Sequence, residues 1–145
     1  MNQSILPFAS LCLALCLSAA SLTQAAEAQS GRFLGNVLYV TPAYQTSLRA
    51  IIRLEPKLPV WVRNILPQQA FVSLASQKVE VDGQSLEVFD ACRPADCPRS
   101  QLRLVFTPDG KTAWGLVRDA EFGEIPLGKP SPALLEILRK PAGRI

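Results

Sequence analysis

Cys92-Arg93-Pro94-Ala95-Asp96-Cys97 sets two cysteines four residues apart around a proline. In an oxidising compartment such a pair usually closes into a disulfide, and so short a closed loop contributes about 2 kcal/mol in the chain-entropy account. Pro94 fixes one φ inside the loop and Pro98 restrains its exit, so the closed loop has little further entropy to lose when it meets a partner. Two roles stay open for it: a staple within a small exported domain, or a stiff recognition loop. A redox role fits less well, because the oxidoreductase pattern has two intervening residues and lies near thioredoxin-like elements.

Other chemistry is scarce. The 145 residues include no histidine, which removes Ser-His and Cys-His nucleophile systems and any His-containing zinc site. Two cysteines alone hold zinc poorly. Asp90, Asp96, Asp109, Asp119, Glu121 and Glu124 supply carboxylates, but acid–base work needs two of them across a cleft with separated pKa values. Most read as turn or surface charges. There is no Gly-rich phosphate loop, no Gly-x-Ser-x-Gly and no helical metal motif. The reading is a non-enzyme with no catalytic residue, no metal and no cofactor.

The N-terminal segment differs from the rest. Ile5 to Ala20 is almost continuously apolar, no Lys or Arg precedes Arg32, and small residues follow toward Ala28. This reads as a signal peptide over residues 1–28, with cleavage after Ala25 or, preferred here, Ala28. Cys12 and Cys16 each follow a leucine, so neither makes a good lipobox. The apolar run is shorter than the roughly 20 residues of a spanning helix, and no membrane anchor is expected. Cleavage would leave residues 29–145 as one domain with a modest core. Losing Glu27 moves the formal charge from +3 to +4. No basic run exceeds Arg139-Lys140, so nucleic acid is not an expected partner. A protein partner with an acidic cleft suits the balance.

The elements that hold the cysteines follow from patterning. Thr41-Pro42 reads as a cap followed by a first-turn proline, and Tyr44, Leu48, Ile51 and Ile52 then make one helical stripe ending near Pro56. Arg49 and Arg53 fall on the solvated side. Pro59 is expected to interrupt any helix in Lys57 to Val62, where Trp61 reads as a buried packing residue whose indole N–H wants a partner. Phe71 to Leu74 and Lys78 to Val81 read as strands, and Asp82-Gly83 as a hairpin turn into Ser85 to Asp90. A second hairpin spans Leu102 to Phe106 and Thr112 to Val117 around Pro108-Asp109-Gly110. Partial alternation predicts a sheet with one packed and one wet face. Asp119 to Glu124 reads as an acidic connection, and Ser131-Pro132 as the start of a closing helix. The fold class is α+β: a central antiparallel sheet flanked by helices, with the Cys loop protruding between two hairpins at one end.

Leu58-Pro59-Val60-Trp61-Val62 looks like the Leu-Pro-x-Trp-Val of the Ivy family of lysozyme inhibitors, and Cys92 to Cys97 looks like that family's Cys-x-Pro-His-x-Cys loop. The hairpin pattern agrees on both sides, and Leu127-Gly128-Lys129-Pro130-Ser131-Pro132 resembles a segment frequent near the family's C-terminus. The resemblance spans about Tyr39 to Leu138. It implies a periplasmic protein that binds c-type lysozyme by inserting the disulfide loop into the catalytic cleft, and a proposed role on the cell's own lytic transglycosylases. The family includes dimers, so a homodimer is a further expectation.

In the family, the loop histidine reaches both catalytic carboxyl groups of lysozyme; an imidazole can donate to one and accept from the other. Here the matching residue is Ala95. A methyl would bury those groups unsatisfied, at about 1–3 kcal/mol each, and 3 kcal/mol weakens binding about 150-fold. Weak inhibition of vertebrate lysozyme is therefore expected. Arg93, Ala95 and Asp96 form the implied contact surface on the Cys92–Cys97 frame shaped by Pro94, with Arg93 or Arg99 offering charge to an acidic cleft. Asp96 has an alternative role, capping backbone N–H groups within the loop.

Overall fold

The computed structural model describes residues 29–142, so the expected signal segment and its cleavage sites lie outside the described residues. Helix α2 (Pro42–Arg53) forms as expected: Tyr44, Leu48 and Ile51 are buried along one stripe while Arg49 and Arg53 face solvent. Thr41 occupies the cap position, but its side chain makes no capping bond. Two elements precede it that patterning did not reveal, strand β1 (Gln29–Phe33) and helix α1 (Leu34–Val40). In α1 the buried Leu34, Val37 and Leu38 recur at i, i+3 and i+4.

Pro59 does not interrupt a helix; it begins one. It caps the single turn α3 (Val60–Arg63), where its missing N–H costs nothing, and α4 (Ile65–Gln68) follows directly. Leu58 and Val62 enter the core as expected, whereas Trp61 is half-buried rather than buried.

The sheet is antiparallel and runs β1-β3-β4-β5-β6-β7, with the short β2 (Val72–Ser73) pairing to the end of β4. Strands β3 (Ala75–Val81) and β4 (Gln84–Cys92) meet at the Asp82-Gly83 turn. Both turn residues have positive φ, 50° and 75°, the left-handed pair that a tight two-residue hairpin demands. Strands β5 (Ser100–Phe106) and β6 (Ala113–Asp119) form the second expected hairpin. At its turn, Gly110 sits against α2 so closely that a Cβ would lie 2.2 Å from the Tyr44 ring, and its carbonyl accepts from the Ser47 hydroxyl at 2.7 Å. The acidic connection continues into an unexpected strand, β7 (Gly123–Leu127), paired with β6. Helix α5 (Pro132–Arg139) starts as expected, with the Ser131 hydroxyl accepting from the Leu134 N–H at 3.3 Å.

The expectation of one wet face is overturned. Side chains alternate with period two, but helices cover both sides of the central strands. Phe89, Ala91, Leu102, Leu104 and Phe106 pack with α1 and α2, while Val88, Val105 and Leu116 pack with Leu134 and Leu138 of α5. Strand β5 is consequently buried almost throughout. Two covered faces bury enough apolar surface to offset chain entropy in so short a domain.

Asp90 is likewise not a surface charge. It sits on the α5 face in register with Arg103, both buried, with Arg103 Nε 3.4 Å from its Oδ1. Arg103 Nη1 donates onward to the carbonyls of Lys140 at 2.6 Å and Pro141 at 2.9 Å, holding the C-terminal end of α5 to the sheet. On the opposite face the buried Glu87 accepts from Arg32 and from Ser76, and Arg32 also donates to the Tyr44 hydroxyl at 2.9 Å. No helix among the described residues is long and apolar enough to cross a membrane.

Candidate functional site

Strand β4 delivers Cys92 fully buried at the end of a central strand, β5 departs from Ser100, and residues 93–99 cross between them. The two cysteines are bonded, with S–S 2.01 Å and Cα atoms 4.9 Å apart. Inside the ring, the Asp96 N–H donates to the Arg93 carbonyl at 3.1 Å, closing a turn with Pro94 at its second position and Ala95 at its third. Ala95 has φ +62°, as in a type II turn, where glycine or asparagine is preferred. For alanine that conformation costs roughly 1–2 kcal/mol. Arg93, Pro94 and Ala95 are exposed, so the rigid part of the loop is also its outermost part.

The six expected loop residues therefore lie together at one end of the sheet. The alternative cap role of Asp96 is not what the loop shows: its carboxylate receives the Arg93 guanidinium rather than backbone N–H groups. The loop's exit is tied twice. Arg93 N–H donates to the Ser100 carbonyl at 3.0 Å, and Ser100 N–H to the Asp96 carbonyl at 3.1 Å.

Three residues that patterning did not assign to the site support the loop from below. Trp61 Nε1 donates to the Ser100 hydroxyl at 2.7 Å, and that hydroxyl in turn donates to the Asp119 carboxylate. Asp119 also accepts from the N–H groups of Glu121 at 2.9 Å and Phe122 at 3.2 Å, which folds the β6–β7 turn. Burial opposes ionisation of Asp119. The Ser100 bond, the two N–H groups and the charge of Arg93 outweigh it and hold the carboxyl below its ordinary value.

The β6–β7 turn is joined to the loop through the Ala120 N–H, which donates to the Arg99 carbonyl at 2.8 Å. It carries Phe122, which is 41 % exposed despite its size. An open cavity of about 450 Å³ lies between the two turns, lined by Pro98, Arg99, Gln101, Arg118, Asp119 and Glu124. Spacing alone does not bring Phe122 to the loop, because the β6–β7 turn that carries it depends on a strand, β7, whose residues have no strand pattern.

Two further carboxylates have structural partners. Asp109 accepts from Thr107 and from the Lys111 N–H, and Glu124 receives Arg139. No group of three or more potential metal ligands occurs among the described residues.

No family model matches the chain. It is 28% identical over 112 residues to the inhibitor of vertebrate lysozyme of Pseudomonas aeruginosa strain PAO1, an alignment covering 68% of this chain and 71% of that protein. The chain is thus similar to an Ivy protein over about two thirds of its length. The relative is named as an inhibitor and not as an enzyme, in keeping with the absence of a recognisable nucleophile or acid–base motif in the sequence.

The two stretches that carry the Ivy resemblance are 30 residues apart yet meet in space. Trp61, from Leu58 to Val62, bonds to Ser100, the residue whose backbone closes the Cys92–Cys97 loop. Leu58 and Val62 bury on either side and fix the short helix that aims the indole. At the tip of the loop stands Ala95, where the Ivy resemblance leads to the expectation of histidine.

Proposed function

We propose that this protein is exported by cleavage of residues 1–28, works in the periplasm as the single domain 29–145, and plugs the active-site cleft of a peptidoglycan-cleaving enzyme with its Cys92–Cys97 loop. The observation that carries this reading is the loop itself: covalently closed, proline-shaped, exposed at Arg93 to Ala95 and braced at its base. A loop already held in one conformation loses little entropy on insertion. The name of the Pseudomonas relative supports a lysozyme as one target class.

Ala95 argues that c-type lysozyme is bound weakly, since a methyl satisfies neither catalytic carboxyl group. The chain is basic, as c-type lysozymes generally are, so long-range steering does not help. A lytic transglycosylase is the alternative target of the same loop. Cell-wall turbidity assays with each enzyme, using wild type and Cys92→Ser/Cys97→Ser, test the reading. Inhibition of either enzyme that is lost when the loop is opened is the expected result. If the folded wild type inhibits neither, the protein is a binding or structural module that kept the fold without the inhibitory contact.

A further inference from the structure

Nine arginines lie among the described residues. Arg32, Arg93, Arg103 and Arg139 form ion pairs, and Arg118 donates to the carbonyls of Arg139 and Lys140. Among the described residues, Arg49, Arg53, Arg63 and Arg99 have neither an ion pair nor a side-chain hydrogen bond. Three of these four line one cavity of about 390 Å³, formed where α2 meets α3 and α4.

That convergence works against stability. Arg49 and Arg53 are four apart on α2, where like charges repel, and no acidic residue lines the cavity to relieve them. The remainder of the wall is Gln45 and the apolar Ile52, Leu66 and Pro67. Val60, 60 % exposed, stands one helical turn from Arg63. Guanidinium groups match phosphate oxygens in fork geometry, and apolar side chains in the same wall suit a ligand whose phosphate adjoins hydrocarbon. A free phosphate would use the charges alone and make no contact with the accessible parts of Ile52 and Leu66 or with the exposed Val60 beside the cavity.

We propose that the Arg49–Arg53–Arg63 cavity is an anion site that docks the protein peripherally on an anionic phospholipid surface. It shares no residue with the Cys loop, so one molecule can rest on a membrane and still present its loop to a wall-cleaving enzyme. The proposal does not depend on what that loop binds.

Co-sedimentation with phosphatidylglycerol/phosphatidylcholine vesicles, against phosphatidylcholine alone, tests it in wild type, in Arg49→Gln/Arg53→Gln/Arg63→Gln and in Lys57→Gln/Lys78→Gln/Lys129→Gln. The two triple variants remove equal charge from exposed positions, and thermal melts verify that each is folded. Wild type should bind the anionic vesicles, less so at high salt. The arginine variant should bind about a hundredfold more weakly, at roughly a tenfold loss or less per basic residue near the surface. The lysine variant should lose far less. Equal losses in the two variants would reduce the effect to net charge and overturn the site, as would absence of vesicle binding. Calorimetric binding of inorganic phosphate without vesicle binding would refute the lipid source.

Discussion

Trp61 and Ser100, 39 positions apart in sequence, are joined by an indole-to-hydroxyl hydrogen bond of 2.7 Å at the base of the disulfide loop. Ser100 is buried, so its hydroxyl is satisfied by this bond and by its own donation to Asp119. Trp61→Phe keeps most of the apolar contact and deletes the donor. Loss of one such bond is expected to destabilise the protein by about 1 kcal/mol. The decisive measurement is amide exchange: the Arg93 and Ser100 N–H groups, which close the loop, should exchange faster, while those of α5 should not. Uniform acceleration across the domain would mean that Trp61 is merely packing.

At Ala95 two effects separate. The backbone is left-handed there, φ +62°, so Ala95→Gly should stabilise the fold by about 1 kcal/mol without adding any contact. Ala95→His supplies a residue that tolerates that backbone better than most and can both donate and accept. On the proposed mode it should tighten inhibition of c-type lysozyme by about 10-fold to 150-fold, corresponding to about 1.4–3 kcal/mol. Matching turbidity titrations of the two variants check this. If the histidine variant gains no more than the glycine variant, the loop tip does not meet the catalytic carboxyl groups.

Asp119 links the loop's base to pH. Its native carboxyl titrates below its ordinary value of 3.8, so the folded state holds its proton less readily than the unfolded chain. The resulting stabilisation is present in full above that ordinary value and is lost as pH falls through the lower native one. Asp119→Asn should be less stable than wild type at neutral pH, and the difference should shrink as pH drops below about 3.8 in urea melts. A difference that does not change with pH would show that the Ser100 and backbone bonds survive protonation unchanged.

The disulfide loop and its neighbours were legible because local chemistry dictates them: Asp82-Gly83 for the turn, Ser131-Pro132 for the cap, two cysteines for the clasp. What escaped depends on tertiary context. Strand β7 contains Gly123 and Pro126, poor strand residues, and pairs only because β6 offers it an edge. The wet face disappeared because eight residues of α5 cover it, and a short helix far along the chain leaves no mark on the strands it buries. Trp61 lacked its partner for the same reason: nothing in residues 58–62 announces a serine on β5.

The Asp90–Arg103 pair shows most plainly what strand pattern alone could not weigh. Both side chains are buried beneath α5, 3.4 Å apart, and Arg103 also holds the carbonyls that end that helix. Removing one member leaves the other charge buried without its counterpart, which typically costs about 3–5 kcal/mol. Arg103→Met should therefore approach that loss in chemical denaturation, and α5 should exchange its amide protons early. Replacing both charges, Asp90→Leu with Arg103→Met, should recover much of the stability, because apolar pairs of similar volume often match buried ion pairs. The double variant must still lack the bonds to Lys140 and Pro141, so its deficit against wild type measures how firmly Arg103 anchors α5. A double variant no more stable than Arg103→Met would mean that the helix anchor, and not the ion pair, carries the energy.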